Sequence, residues 1–221
     1  MPRREATIQG EVHTGDADKR RLLERGLEEH DAVLVEGRSP TLVIRELTLG
    51  YAGFLMGYVT LMWVQAVVGR LRRRVSGRVD LRDAAARVGV AYHDRIDADT
   101  ATIYEMAPTT IRYLSGAWLF AILSLCLLVG VNRFVLVAYT LSMPYLYATL
   151  IIVLVKLAGK RRAAHMADRI TDLAEERSYD QVSVLCGDAH REDISAALEQ
   201  REWSVTTHGG HHLFGRLFGR S

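Results

Sequence analysis

Ile8-Gln9-Gly10-Glu11-Val12-His13, near the N-terminus, and Leu185-Cys186-Gly187-Asp188-Ala189-His190, near the other end, decide how this chain is read. Each is a short apolar run that stops at a glycine, with a histidine three residues on and an acidic residue between them. If both runs are strands of one sheet, both histidines emerge at the same edge. That edge is the candidate site.

Working outward, Ala6 to Val12 reads as a strand. Asp16 to Glu29 reads as a helix, with Leu22, Leu23 and Leu27 on one face and Asp16 and Asp18 where an N-cap belongs. Ala32 to Glu36 is a second strand, continuous and apolar as a parallel strand covered on both faces should be. Strand, helix and strand make a βαβ unit, and open α/β sheets place ligands at strand ends such as Glu11, His13, Glu36, Gly37 and Arg38. Further on, Asp80 to Val88 predicts a helix opened by Asp80 and closed by Gly89. A short strand, Val90 to Tyr92, then leads into His93-Asp94-Arg95. Near the C-terminus, Ala163 to Arg177 is amphipathic through Met166, Ile170 and Leu173. Val182 to Cys186, Asp193 to Gln200 and Trp203 to Thr207 predict a second strand–helix–strand unit.

Between these halves lie long uncharged runs. Leu47 to Gly69 is bounded by Arg45 and by Arg70, Arg72, Arg73 and Arg74, so its ends give no clear orientation. Tyr113 to Val131 and Phe134 to Val155 are each long enough to span a bilayer and are separated by Asn132 and Arg133, which predicts a helical hairpin. Arg112, Lys156, Lys160, Arg161 and Arg162 at its base against Arg133 at its tip orient both ends toward the cytoplasm. Pro144 is compatible with a kinked spanning helix.

The expected fold is therefore α/β, a mostly parallel sheet built from N- and C-terminal βαβ units and interrupted by a transmembrane helical hairpin. In residues, 1–46 form the first half of the α/β domain. Residues 47–75 form an apolar helix that is re-entrant, interfacial or packed on the domain, and 76–111 continue the domain. Residues 112–158 form the hairpin, 159–207 the second half, and 208–221 a flexible tail of histidine, glycine and arginine. A multi-pass protein of the cell membrane with its soluble domain facing the cytoplasm follows, with membrane lipid as a partner. Gly50, Gly53 and Gly57 suit close helix packing or a homo-oligomer contact. A net charge of +2, with arginines beside apolar runs, argues against nucleic acid. Cys126 and Cys186 do not make a disulfide framework.

The chemistry follows from the residue types. A histidine at a strand end, after a glycine, aims either a metal ligand or a general base into a crevice. Gly10 and Gly187 are then structural. Glu11 and Glu36 close the first two strands a strand spacing or two apart, near enough to share a cation or to divide acid and base roles. Arg38 has the fork geometry that clamps a carboxylate or phosphate; its alternative role is a salt bridge to Glu36. Asp94 and Arg95 read as a structural ion pair at the sheet edge or as support for the site.

Taken in order, Gly10-Glu11-Val12-His13, Val35-Glu36-Gly37-Arg38, Asp94-Arg95 and Gly187-Asp188-Ala189-His190 resemble the motifs of the TraB and PrgY pheromone-shutdown family. That family belongs to the wider group of Tiki proteins, erythromycin esterases and ChaN haem-binding proteins. The resemblance implies a split α/β domain whose site is built from both chain ends. It implies a metal-assisted hydrolase of a peptide or small substrate, or suppression of a peptide signal. His13, His190, Glu11 and Glu36 would hold a divalent metal ion and carry catalysis, and Arg38, Asp94 and Arg95 would contact substrate. The alternative is a non-enzymatic membrane regulator that sequesters a signal peptide or haem-like ligand. The hairpin, between Arg95 and His190, departs from the family's usual order, in which membrane segments follow the last motif. A shared site also requires an even number of membrane crossings between the two histidines.

Overall fold

The computed structural model describes residues 3–11, 17–37, 41–44, 47–76, 79–128 and 156–210. The chain groups into two compact units. One comprises Met1–Pro40, Gly69–Asp97 and Ala163–Ser221, and the other Thr41–Val68 and Ala98–Arg162.

The first unit carries the sheet. Among the described residues five strands, β1 (Glu5–Glu11), β2 (Ala32–Val35), β3 (Ala91–Asp94), β4 (Gln181–Gly187) and β5 (Ser204–His208), lie in the order β3-β2-β4-β1-β5. Every neighbouring pair is parallel. The α/β expectation therefore holds, but the two βαβ units are interleaved. β4, from the C-terminal half, lies between β1 and β2, and β1 lies between β4 and β5.

Helices cover both faces of the sheet, and β2 and β4 carry apolar residues on both. On one face Ala6, Ile8, Ala32, Leu34, Val182, Val184 and Cys186 form a core with Met166, Ala167, Ile170 and Ala174 of the helix 156–177 and with Ile194 and Leu198 of Arg191–Glu199. On the other, Val33 and Leu185 join Leu22 of α1 (Ala17–Glu24), Leu27, and Leu81 and Ala85 of the helix Leu81–Val88. Odd and even positions of β2 and β4 thus serve different cores, as the pleat requires, while the second face of β1 carries the polar Thr7 and Gln9.

The predicted helix over Asp80–Val88 is present. Asp80 accepts hydrogen bonds from the Arg82 and Asp83 backbone N–H groups, and Gly89 closes the helix at φ 75°. The predicted helix over Asp16–Glu29 is shorter. It stops at Glu24, Gly26 turns at φ +88°, and Leu27 reaches the core from outside the helix. His208, assigned to the tail from sequence, is the last residue of β5 and pairs with the edge of β1 beside Gln9.

The second unit is helical. Numbered in chain order, its helices are α2 (Leu49–Ser76), of which Leu49–Val68 lies in this unit, α4 (Thr100–Met106), α5 (Thr109–Leu128) and the first residues, 156–162, of α6 (156–177); Leu81–Val88 is α3 and Arg191–Glu199 is α7. Ala98–Ile111, read from sequence as continuing the α/β domain, groups here instead. Tyr51, Phe54, Ala98, Ala101, Ile103, Ala107 and Ala158 form its core. The Tyr51 hydroxyl donates to the Val43 carbonyl oxygen and lies 3.1 Å from Thr100 Oγ1.

Gly50 and Gly53 face α5. A Cβ on Gly53 would collide with the Ser115 carbonyl oxygen, one on Gly50 with that of Arg112, and Gly116 lies against the Gly50 backbone. Gly50 and Gly53, two of the three glycines read as either close packing or a dimer contact, pack against α5 of the same chain.

Among the described residues no helix is long and apolar enough to cross a membrane. The second arm of the predicted hairpin, Phe134 to Val155 with Pro144, lies outside the described residues, as do His13 and Arg38.

Candidate functional site

In an open parallel sheet the chain leaves successive strands toward one face or the other. Where two adjacent strands send their connections to opposite faces, a crevice opens at their carboxyl ends. Here that switch point falls between β1 and β4. After β1 the chain enters α1, whose Leu22 belongs to one core. After β4 it enters α7, whose Ile194 and Leu198 belong to the other. The two glycine–histidine motifs therefore begin side by side, with Gly10 paired to Cys186 and Glu11 to Gly187.

Glu36 follows β2 on the other side of β4 and is buried. Its backbone N–H donates to the Leu185 carbonyl oxygen at 2.9 Å, and its Oε2 accepts from the Gly187 N–H. Glu11 and Glu36 thus flank the end of β4, two strand spacings apart, within the range expected from sequence. Glu11 is ion-paired to Lys19 of α1, Nζ to Oε1 3.7 Å, with both side chains largely buried.

Asp188 and His190 occupy a single 3-10 turn, Asp188–His190, and His190 directly precedes α7. Asp188 Oδ1 accepts from the Gly210 N–H at 2.9 Å and lies 3.3 Å from Arg191 Nη1. Gly10 is a glycine for a local reason: a Cβ there would fall on Asp188 Oδ1 and press on the Gly210 nitrogen.

Beneath this edge, the buried Gln9 side chain donates to the Gly209 carbonyl oxygen at 3.2 Å and accepts from Arg25 Nη1 at 2.6 Å. The chain following β5 is therefore held across the end of β1. Cys186 is buried at the same place. Its thiol is pushed up strongly, first by burial and then by the carboxylates of Glu36, Asp188 and Glu11, with Arg191 opposing. It stays protonated and is no nucleophile.

The site residues expected from sequence are distributed unevenly. Glu11, Glu36, Gly10, Gly187 and His190 gather at the switch point. Asp94 and Arg95 stand at the end of the edge strand β3, both exposed, with Arg95 at φ 61° packed against Gly37. Lys19 and Arg191 also stand at the site, outside the residues expected from sequence, and Asp188, expected there only as the acidic member of its motif, pairs with Arg191. Lys19 had a legible signal: it precedes Leu22 and Leu23 by three and four residues, so it shares their inward face. Among the described residues no three His, Cys, Asp or Glu side chains are grouped to hold a metal ion.

The chain is thus an open, parallel α/β sheet with a cluster of acidic residues, balanced by Lys19 and Arg191, at its switch point. No family model, curated protein or solved structure matches the chain.

Proposed function

We propose that the protein is a membrane-attached, TraB-like metal-assisted hydrolase acting on a peptide or small substrate at the β1–β4 switch point. The observation that carries this reading is the pairing of Gly10 and Glu11 with Cys186 and Gly187, which starts both glycine–histidine motifs on adjacent strands. His13 and His190 hold a divalent cation, Glu36 and Glu11 complete its surroundings or accept a proton from water, and Arg38 orients substrate. When bound, the metal supplies a Lewis acid and lowers the pKa of water. The chain anchors through the hairpin of residues 112–158, with the sheet on the cytoplasmic side. Because β1 and β4 share one sheet, the chain between them crosses a bilayer an even number of times, which the hairpin satisfies.

Purified protein should contain stoichiometric divalent metal that is lost in His13→Ala and in His190→Ala, with unchanged circular dichroism. Folded wild-type protein that takes up no zinc, manganese or cobalt contradicts the metal reading. A second reading, a non-enzymatic regulator that sequesters a signal peptide or haem-like ligand, draws on the engagement of the carboxylates in the fold, Glu11 with Lys19 and Glu36 with the Gly187 N–H. It predicts ligand binding that survives Glu11→Gln, which the hydrolase reading does not.

A further inference from the structure

In the second unit α2 has two unlike sides. One carries Gly50 and Gly53 and lies so close to α5 that neither position has room for a side chain. Tyr51, Phe54 and Tyr58 are buried, with stacked rings, and Phe54 and Tyr51 both meet Tyr104. The other side carries Met56, Val59, Trp63 and Val67, spaced three, four and four residues apart, which is one stripe of a helix. All four are exposed, Trp63 at 68 %. A run of large apolar side chains in water is costly, at about 25 cal/mol for each Å² of apolar surface left uncovered. α5 adds Tyr113, Leu114 and Phe120, also exposed.

Charge selects the partner. Thr41–Val68 and Ala98–Arg162 hold seven basic residues (Arg45, Arg112, Arg133, Lys156, Lys160, Arg161, Arg162) and three acidic ones (Glu46, Asp99, Glu105), an excess of four in a chain whose total is +2. From Met106 to Ala167 there is no acidic residue at all. Two copies of such a unit repel one another, whereas an anionic lipid surface attracts it. A Trp and a Tyr among the exposed residues are the amphipathic aromatics that settle at headgroup level.

We infer that the Met56–Val59–Trp63–Val67 face of α2 is a lipid-contact surface, seated against the acyl chains of an anionic bilayer while the glycine face holds α2 to α5. α2 then enters the membrane from its side and adds no crossing, which keeps the number even. This inference rests on the membrane attachment proposed above.

The test uses the full chain reconstituted in phosphatidylcholine–phosphatidylglycerol vesicles, with and without brominated acyl chains. The brominated lipid should quench tryptophan emission in a Trp118→Phe background, which removes the tryptophan within the proposed hairpin, and most of the quenched fraction should vanish when Trp63→Phe is added, an exposed position where folding is not at stake. Val59→Asp should weaken flotation with anionic vesicles more than with pure phosphatidylcholine, because the new carboxylate interrupts the apolar stripe in both cases and is repelled by the headgroups only in the anionic one. If the protein floats with vesicles but Trp63→Phe leaves the quenching unchanged, the α2 inference falls and the anchor stands. If the protein does not float, both fall. Efficient cross-linking of Trp63→Cys between two copies in vesicles assigns the face to a dimer and overturns the inference.

Discussion

Gly10 and Lys19 bound the candidate site from two sides, and each makes a separate demand on the fold. At Gly10 a methyl group must displace the Asp188 carboxylate from the Gly210 N–H and from Arg191. Gly10→Ala should therefore cost about 1–3 kcal/mol, the range for inserting a methyl into a packed position, and urea unfolding measures it. Lys19 compensates Glu11 where both side chains are nearly out of water. Lys19→Met should destabilise by about 1–3 kcal/mol, and adding Glu11→Gln should recover part of the loss, since the uncompensated carboxylate is then gone. His93 makes a prediction of a different kind. Burial, then Arg177 and Arg169, hold its imidazole below the usual histidine pKa, and Nε2 lies 3.1 Å from the Tyr179 hydroxyl. The unfolded chain thus binds this proton more tightly than the folded one. Stability is level above the unfolded pKa of about 6.5 and falls as the pH drops below it. His93→Gln should flatten that acid-side fall in urea midpoints; an unchanged slope would assign the fall to other groups.

Among elements, what was legible depended on how local the determining signal is. α3 could be read residue by residue, because Asp80 and Gly89 act within one turn of the helix they bound. Asp80→Ala should cost about 0.5–2 kcal/mol in thermal or urea unfolding, the range for losing an N-cap. α1 is shorter than its apolar pattern predicts, because Leu27 keeps the helical spacing beyond the point where the helix stops. Gly26 at φ +88° ends the helix first, and the leucine is buried by the chain's return toward β2. The glycines of α2 were legible as a packing signal but not as to partner. That partner is α5, some sixty residues away in sequence, and Gly53→Ala should separate the two helices and lower thermal stability. For Lys19 charge predicts exposure and helical spacing predicts burial beside Leu22, and the spacing prevails because Glu11 pairs with the ammonium group.

For the molecule as a whole, the strands were readable one at a time and their order was not. Alternation and apolar runs mark a parallel strand, but nothing within Gln181–Gly187 says that it inserts between β1 and β2. That insertion is what brings the starts of two distant glycine–histidine motifs together, because it sets Gly10 beside Cys186 and creates the switch point between β1 and β4. The proposed site requires that the motif ends His13 and His190 meet there. Cysteine substitution at both positions, in a Cys126→Ala background, tests this directly through oxidative or short bis-maleimide cross-linking of the folded protein followed by peptide mass spectrometry. A tryptic species joining the peptides of positions 13 and 190 within one chain, abolished by prior unfolding in urea, is the predicted result. Folded protein in which both cysteines react singly with maleimide and are never joined would contradict it.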